Sequence, residues 1–470
     1  MKNRWIGVLI SSFAGILLAA FTPIQTLSPM GHKVLMALIM ALGLWIFQPG
    51  KMPFAVGACL LMAMLLLVGV SRGLVFAGFT SDSTWILIPA TAFGYVLTKT
   101  GLGKRLAFLV IKTFKPTYLN LTISWLIVGL ILSAFTPSIL IRIAIVMPIA
   151  AGCTSTLRLE PGSRGNTFLL LIAWTMAVIP GSGWLTGSLW GPVMMGMYSK
   201  VDGLKELCTP GPWMNAMMVP MLLMTGLIVG GIYWVFKPEP LDVEDSEAFV
   251  EEYSKLGPWS RSEKLSGIIL AATFIMFVTE KIHGVGNVTA CLLSFFLLFV
   301  FKVLEPDDIQ KGVSWNLILF LGCILGLPAI FSSPDTGISE WIKGTISPLL
   351  SSFGENQLFF ILVAVVVMYF WRFFDIAWMI PSMALLVTML PTVQTELGIH
   401  PLVTSSLIIF AGNFTFVTYM QPFALMGSSL VKERSWTPQQ LMQYGVIYLA
   451  SSFITLFISF AFWKIIGLVK

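Results

Sequence analysis

The sequence predicts an all-α membrane protein with about eleven transmembrane helices and two re-entrant hairpins, arranged as an inverted-topology repeat. Three observations predict this. A chain of 470 residues that is 57% hydrophobic and 11% charged, with a mean hydropathy of +0.88, has too little polar surface to coat a soluble globule. Apolar runs of spanning length follow one another along the whole chain. Finally, two stretches 236 residues apart carry the same interrupted pattern, Ser133-Ala-Phe-Thr-Pro-Ser-Ile-Leu-Ile-Arg142 and Tyr369-Phe-Trp-Arg-Phe-Phe-Asp-Ile-Ala-Trp378. The same offset pairs Thr100-Gly101 with Thr336-Gly337, and Gly181-Ser182-Gly183 with Val417-Thr418-Tyr419. Matching broken hydrophobic segments point to a duplicated secondary transporter with its site at the repeat interface.

Taken in order, Lys2 and Arg4 precede an apolar run from Trp5 to Phe21. At about 17 residues it exceeds the ~7 to 15 of a signal peptide, so residues 1–31 are expected to hold a first transmembrane helix. The first copy, 32–236, has spans near 32–48, 52–71, 118–153, 166–199 and 212–236. The second, 264–470, has spans near 264–281, 285–303, 357–392, 402–428 and 442–466. Segments 83–115 and 314–347 carry Pro89, Pro328 and the repeated Thr-Gly, and are expected to be re-entrant hairpins that need protein or water around them. An odd number of crossings per copy makes successive copies enter from opposite faces, which is the basis for inverted topology. The acidic, proline-bearing stretch 237–263 is expected to be a solvated linker. A slight excess of Lys and Arg places the N-terminus and linker in the cytoplasm of a multi-pass cell inner membrane protein embedded in the lipid bilayer.

A net charge of +6 spread singly over short loops gives no stripe for nucleic acid. The five cysteines lack CxxC spacing and are expected to be small fillers. His32, His283 and His400 form no metal pattern, and no GxxxxGK[ST] loop or nucleophile with its base is present, so neither an enzyme nor an ATP-driven pump is expected. No cofactor is implied, and sodium is the candidate coupling ion.

Charges inside hydrocarbon cost about 2.5 to 3.5 kcal/mol on insertion scales and so need a partner. Arg142 follows Pro137 by five residues, and Pro137 has no amide hydrogen, so the helix is expected to open there and expose amides to an anion. Arg142, with Thr136 and Ser138, clamps a carboxylate or sulfate oxygen, or forms a structural ion pair with Asp375; the two are not exclusive, because a substrate can compete for the arginine. Arg372 is expected to snorkel or stack on an aromatic ring. Asp375 either binds a cation, takes up a proton or neutralises an arginine. The second pair of breaks, 180–188 and 413–422, is polar and uncharged. Thr418 and Gln421 are taken as substrate ligands there, and Ser182, Gly183 and Thr186 as ion ligands, against a plain packing role for the glycines.

The order of elements resembles the divalent anion/sodium symporter (DASS) superfamily of dicarboxylate, tricarboxylate and sulfate transporters. The resemblance rests on the segments 85–102 and 315–338, on His283-Gly284, and on Glu305-Pro-Asp-Asp-Ile-Gln-Lys-Gly-Val-Ser-Trp315. Phe135-Thr-Pro-Ser-Ile-Leu-Ile-Arg142 is most similar to the branch of plant 2-oxoglutarate/malate translocators and bacterial citrate/succinate antiporters, which carry Phe-Thr-Pro-Ser-Asn-Thr-Ala-Arg. The family's Ser-Asn-Thr signature becomes Ser138-Ile139-Leu140 and Phe374-Asp375-Ile376 here. The resemblance implies di- or tricarboxylate transport by alternating access, sodium coupling or anion exchange, and a homodimer. A sulfate transporter, or an uncoupled channel or sensor on the same fold, is the alternative.

Overall fold

The computed structural model describes residues 2–21, 24, 27–207, 209–241, 247–354, 356–375, 379–417 and 420–470. Every regular element among them is a helix. In the first half, α1 (Lys2–Phe21) packs along α2 (Pro29–Phe47), and α3 (Phe54–Leu67) and α4 (Arg72–Val75) lead to α5 (Asp82–Lys99) and α6 (Leu102–Ile111). Then come α7 (Tyr118–Phe135), α8 (Ile139–Thr156), α9 (Arg164–Val178), α10 (Trp190–Tyr198) and α11 (Pro210–Phe236). The linker holds α12 (Glu247–Ser254). Next follow α13 (Arg261–Val278), α14 (Glu280–His283), α15 (Asn287–Val300), α16 (Asp308–Gly312), α17 (Trp315–Ile324), α18 (Leu327–Phe331) and α19 (Ile338–Ser351). The chain ends with α20 (Gln357–Trp371), α21 (Ile380–Leu397), α22 (Pro401–Asn413), α23 (Pro422–Val431) and α24 (Pro438–Ile465).

Among the described residues, six helical segments are long and apolar enough to cross a bilayer, and six shorter apolar helices accompany them. The outer surface fits that solvent: Leu67, Trp234 and Ile465 are 80%, 75% and 83% exposed, a pattern that water does not tolerate over large patches. At the opposite extreme, residues 165–183 are all buried. Segment 83–115 forms α5 and α6, and 314–347 forms α17, α18 and most of α19.

The 236-residue offset carries the end of α7 at Phe135 onto the end of α20 at Trp371, and the starts of α9 and α22 agree with it to one residue. The Thr-Gly pairs share local geometry as well. Gly101 and Gly337 take φ of 79° and 66°, the left-handed region that favours glycine, and each caps the next helix. In both copies the threonine hydroxyl accepts from the amide two residues on, Leu102 or Ile338, at 3.4 Å.

Two ion pairs tie α5 and α6 to their surroundings. Arg105, on α6, donates to Glu263 at 2.6 Å and to the carbonyls of Leu256, Gly257 and Pro258, so the linker's end is fastened to this unit. Lys99 donates to Asp308 at 2.5 Å, and the Tyr95 hydroxyl donates to the same carboxylate at 2.9 Å. Burial alone raises the Glu263 and Asp308 carboxyls, but the hydrogen bonds from Arg105 and Lys99, with those from nearby groups, outweigh it and hold both below their ordinary values.

Candidate functional site

The first break lies between α7 and α8. A residue before proline is pushed to extended backbone, and Thr136 has φ −152° and ψ 131°. Its hydroxyl donates to the Ala90 carbonyl at 3.3 Å and accepts from the Ser138 amide at 3.1 Å, so it holds the turn. Arg142 sits in the first turn of α8 and is fully buried. Its Nη1 donates to the Gly187 carbonyl at 2.5 Å, while Nε and Nη2 have no hydrogen-bond partner. A Cβ at Gly181 would lie 2.5 Å from Arg142 Nη1 and 2.5 Å from the Gly187 oxygen, so only glycine lets these backbones close around the guanidinium. No ion pair joins Arg142 to Asp375 among the described residues, which removes that alternative.

Arg372 neither snorkels nor reaches water. It is fully buried and donates to the carbonyls of Ala411, Asp375 and Met420, which lie at the two breaks of the second copy. This corrects the expectation of a snorkelling side chain: unwound backbone supplied acceptors that no local pattern reveals. The buried Asp375 carboxylate accepts from the Ser382 hydroxyl, which in turn accepts from Trp371 Nε1 at 2.8 Å. Gln421 is fully buried; its Nε2 donates to the Gly412 carbonyl at 3.0 Å and its Oε1 is unpartnered. Asn413 and Trp190, which sequence reasoning left without roles, join the two halves. Trp190 Nε1 donates to Asn413 Oδ1 at 2.9 Å, and Asn413 Nδ2 is left unpartnered. A Cβ at Gly412 would lie 2.3 Å from the Trp190 ring. No local signal in the sequence marks Asn413, because its partner Trp190 lies 223 residues earlier. Thr418 lies outside the described residues.

Ser138 borders a small cavity of about 20 Å³ together with Thr91, Leu189, Leu317 and Phe423, so both copies meet at the first break. The three candidate ion ligands face different neighbours. Ser182 donates to Ser188 at 3.2 Å and its carbonyl accepts from Trp213 Nε1 at 3.1 Å. Gly183 abuts Met218, whose sulfur would lie 2.8 Å from a Cβ there. Thr186 borders a largely apolar chamber of about 600 Å³ with Trp184, Met214, Met218 and Phe274. No cluster of three or more His, Cys, Asp or Glu residues occurs among the described residues.

Over residues 2–469 the chain matches the family described as the sodium:sulfate symporter transmembrane region. It is 24% identical over 476 residues to dicarboxylate transporter 1, chloroplastic, of Arabidopsis thaliana, covering 98% of this chain and 83% of that protein. Inner membrane protein YbhI of Escherichia coli is 25% identical over 352 residues, covering 72% of this chain and 71% of that protein. The L-tartrate/succinate antiporter of Shigella dysenteriae is 23% identical over 310 residues, covering 63% and 61%. The YdaH transporter of Alcanivorax borkumensis superposes with a TM-score of 0.55 at 13% identity over 85% of this chain and 89% of that one, which establishes a shared fold.

Proposed function

Because this chain belongs to the sodium:sulfate symporter transmembrane family, we propose that it is a secondary transporter of small di- and tricarboxylates in which Arg142 supplies the countercharge. The observation that carries this reading is a fully buried guanidinium with one backbone acceptor and two nitrogens unpartnered. A charge withdrawn from water and left unpaired costs several kcal/mol, and a carboxylate offered to Nε and Nη2 would meet two charge-assisted hydrogen bonds in a fork geometry. Ser138 lies four residues before Arg142. Gln421 and Asn413 bring a free acceptor and a free donor from the second copy. Thr136 shapes the turn, and Asp375 and Thr418 belong to the site by their place in the two breaks of the second copy.

The relatives' names, dicarboxylate transporter and L-tartrate/succinate antiporter, support the substrate class. In the proposed architecture about eleven crossings and two re-entrant hairpins form an inverted repeat, supported by the matching breaks and Thr-Gly turns. One sub-bundle moving against another gives alternating access, in a homodimer in the cell inner membrane. Coupling is by anion exchange in preference to sodium symport: a fixed arginine takes over the charge that a bound sodium would bring, and the Ser-Asn-Thr tripeptides are absent. Labelled succinate uptake into proteoliposomes tests this. Uptake that requires internal unlabelled dicarboxylate supports exchange; uptake that instead requires an inward sodium gradient overturns that coupling, and none under either condition overturns the substrate class.

A further inference from the structure

The second copy holds a cation of its own. Arg372, at the end of α20, is fully buried, and each nitrogen of its guanidinium donates to a different backbone carbonyl: Nε to Ala411 at 3.2 Å, Nη1 to Asp375 and Nη2 to Met420. Those carbonyls come from three separate places: the last turn of α22, the break after α20 and the segment before α23. The end of α22 turns its negative pole, equivalent to roughly half a charge, towards the guanidinium. Asp375 also brings a buried carboxylate to the break, where it accepts from the Ser382 hydroxyl. Unwound carbonyls and a helix C-terminus that converge in this way are the coordination a monovalent cation finds inside a membrane carrier.

Hydrogen-bond satisfaction alone does not account for an arginine here. The carbonyls on either side of Ala411 are met by neutral donors: Phe410 by the Tyr448 hydroxyl at 2.7 Å and Gly412 by Gln421 Nε2 at 3.0 Å. A guanidinium costs far more to withdraw from water than a hydroxyl or an amide. Its place is therefore one that a positive charge stabilises. The first copy has no equivalent: the 236-residue offset carries Arg372 onto Thr136 and Asp375 onto Ile139, both uncharged.

We propose that the carbonyls of Ala411, Asp375 and Met420 form a monovalent-cation site that this chain fills with its own guanidinium. A free ion in the same cradle would leave on unloading, and its gradient could drive uptake. A tethered cation stays in the protein through the whole cycle, so no ion gradient acts at this point. That consequence for coupling rests on the transporter reading above; the occupation of the cradle by a cation does not.

The test is chemical rescue of full-length Arg372→Ala, which removes the guanidinium and leaves the carbonyls in place. Thermal unfolding in nanodiscs is followed with sodium, guanidinium or choline chloride at millimolar concentrations and matched ionic strength. Sodium and guanidinium are expected to raise the apparent Tm of Arg372→Ala saturably with concentration, and choline, too large for the cradle, to leave it low. Wild type should be indifferent to all three salts, and so should Arg372→Lys, which keeps a tethered cation. In proteoliposomes, wild-type succinate uptake should be unchanged when choline replaces sodium, whereas Arg372→Ala should take up succinate only with sodium or guanidinium present. An Arg372→Ala protein that is equally destabilised or unfolded in all three salts, one as stable as wild type in choline, or sodium that stabilises wild type as much as the variant would overturn the cradle. Wild-type protein that takes up no succinate in any salt would overturn the transport reading alone, because unfolding reads the cradle directly.

Discussion

Replacing Arg142 by methionine should make the protein more stable without substrate and unable to hold substrate at all. Arg142 is fully buried, and its one recorded side-chain hydrogen bond is to the Gly187 carbonyl. Exchanging such a charge for an apolar side chain of similar length removes a desolvation penalty; the same exchange at buried ion pairs is neutral to stabilising by about 1 to 4 kcal/mol. The unpartnered Nε and Nη2 offer two charge-assisted hydrogen bonds, at about 1.5 to 3 kcal/mol each. Their loss totals about 3 to 6 kcal/mol, or roughly two to four orders of magnitude in affinity. The assay pairs thermal unfolding of the purified protein, with and without succinate, with uptake in proteoliposomes. The apparent Tm of Arg142→Met should rise without ligand, the succinate-induced shift should vanish, and uptake should fall to background. Arg142→Lys keeps the charge but loses the fork, and should fall between the two. A methionine variant that transports within tenfold of wild type would refute the anion role; one strongly destabilised without ligand would show that Arg142 holds the fold.

Gly181→Ala should place a methyl group against both the Gly187 carbonyl and the guanidinium; it is expected to cost about 1 to 3 kcal/mol and to weaken uptake, read by the same two assays. Asn413→Leu removes the acceptor of Trp190 Nε1 and should destabilise by about 1 to 3 kcal/mol, whereas a silent variant in thermal unfolding would deny the link between the two halves. Glu263→Gln leaves Arg105 buried with only carbonyl acceptors and should cost about 3 kcal/mol, seen as faster proteolysis of the linker. Glu263 and Asp308 have folded pKa values below their ordinary ones. The stability they contribute is therefore present above the ordinary carboxylate range, and is lost as pH falls below about 4 through the folded values. Hydrogen exchange in α6 and the linker should accelerate in that window and not on the alkaline side.

Much of the frame was legible because it follows from local rules. Pro137 forces Thr136 into extended backbone wherever the chain sits, so the break before Arg142 could be placed between Phe135 and about Ile139. Gly101 and Gly337 take positive φ for a local reason, and composition alone requires a bilayer. What local rules do not contain is which polar group ends up satisfied. Thr136 is occupied by the Ala90 carbonyl 46 residues away, Ser182 by its neighbour Ser188, and Arg372 by carbonyls of a break in a distant helix. Asn413 was silent in the sequence because its partner, Trp190, lies 223 residues earlier. A hydrogen bond is settled by a contact of a few ångströms between segments that the sequence holds far apart. The sequence by itself therefore determined the solvent, the breaks and the charges placed in them. Only the packing of those breaks against one another decided that Arg372 is used up as structure while Arg142 keeps two nitrogens free.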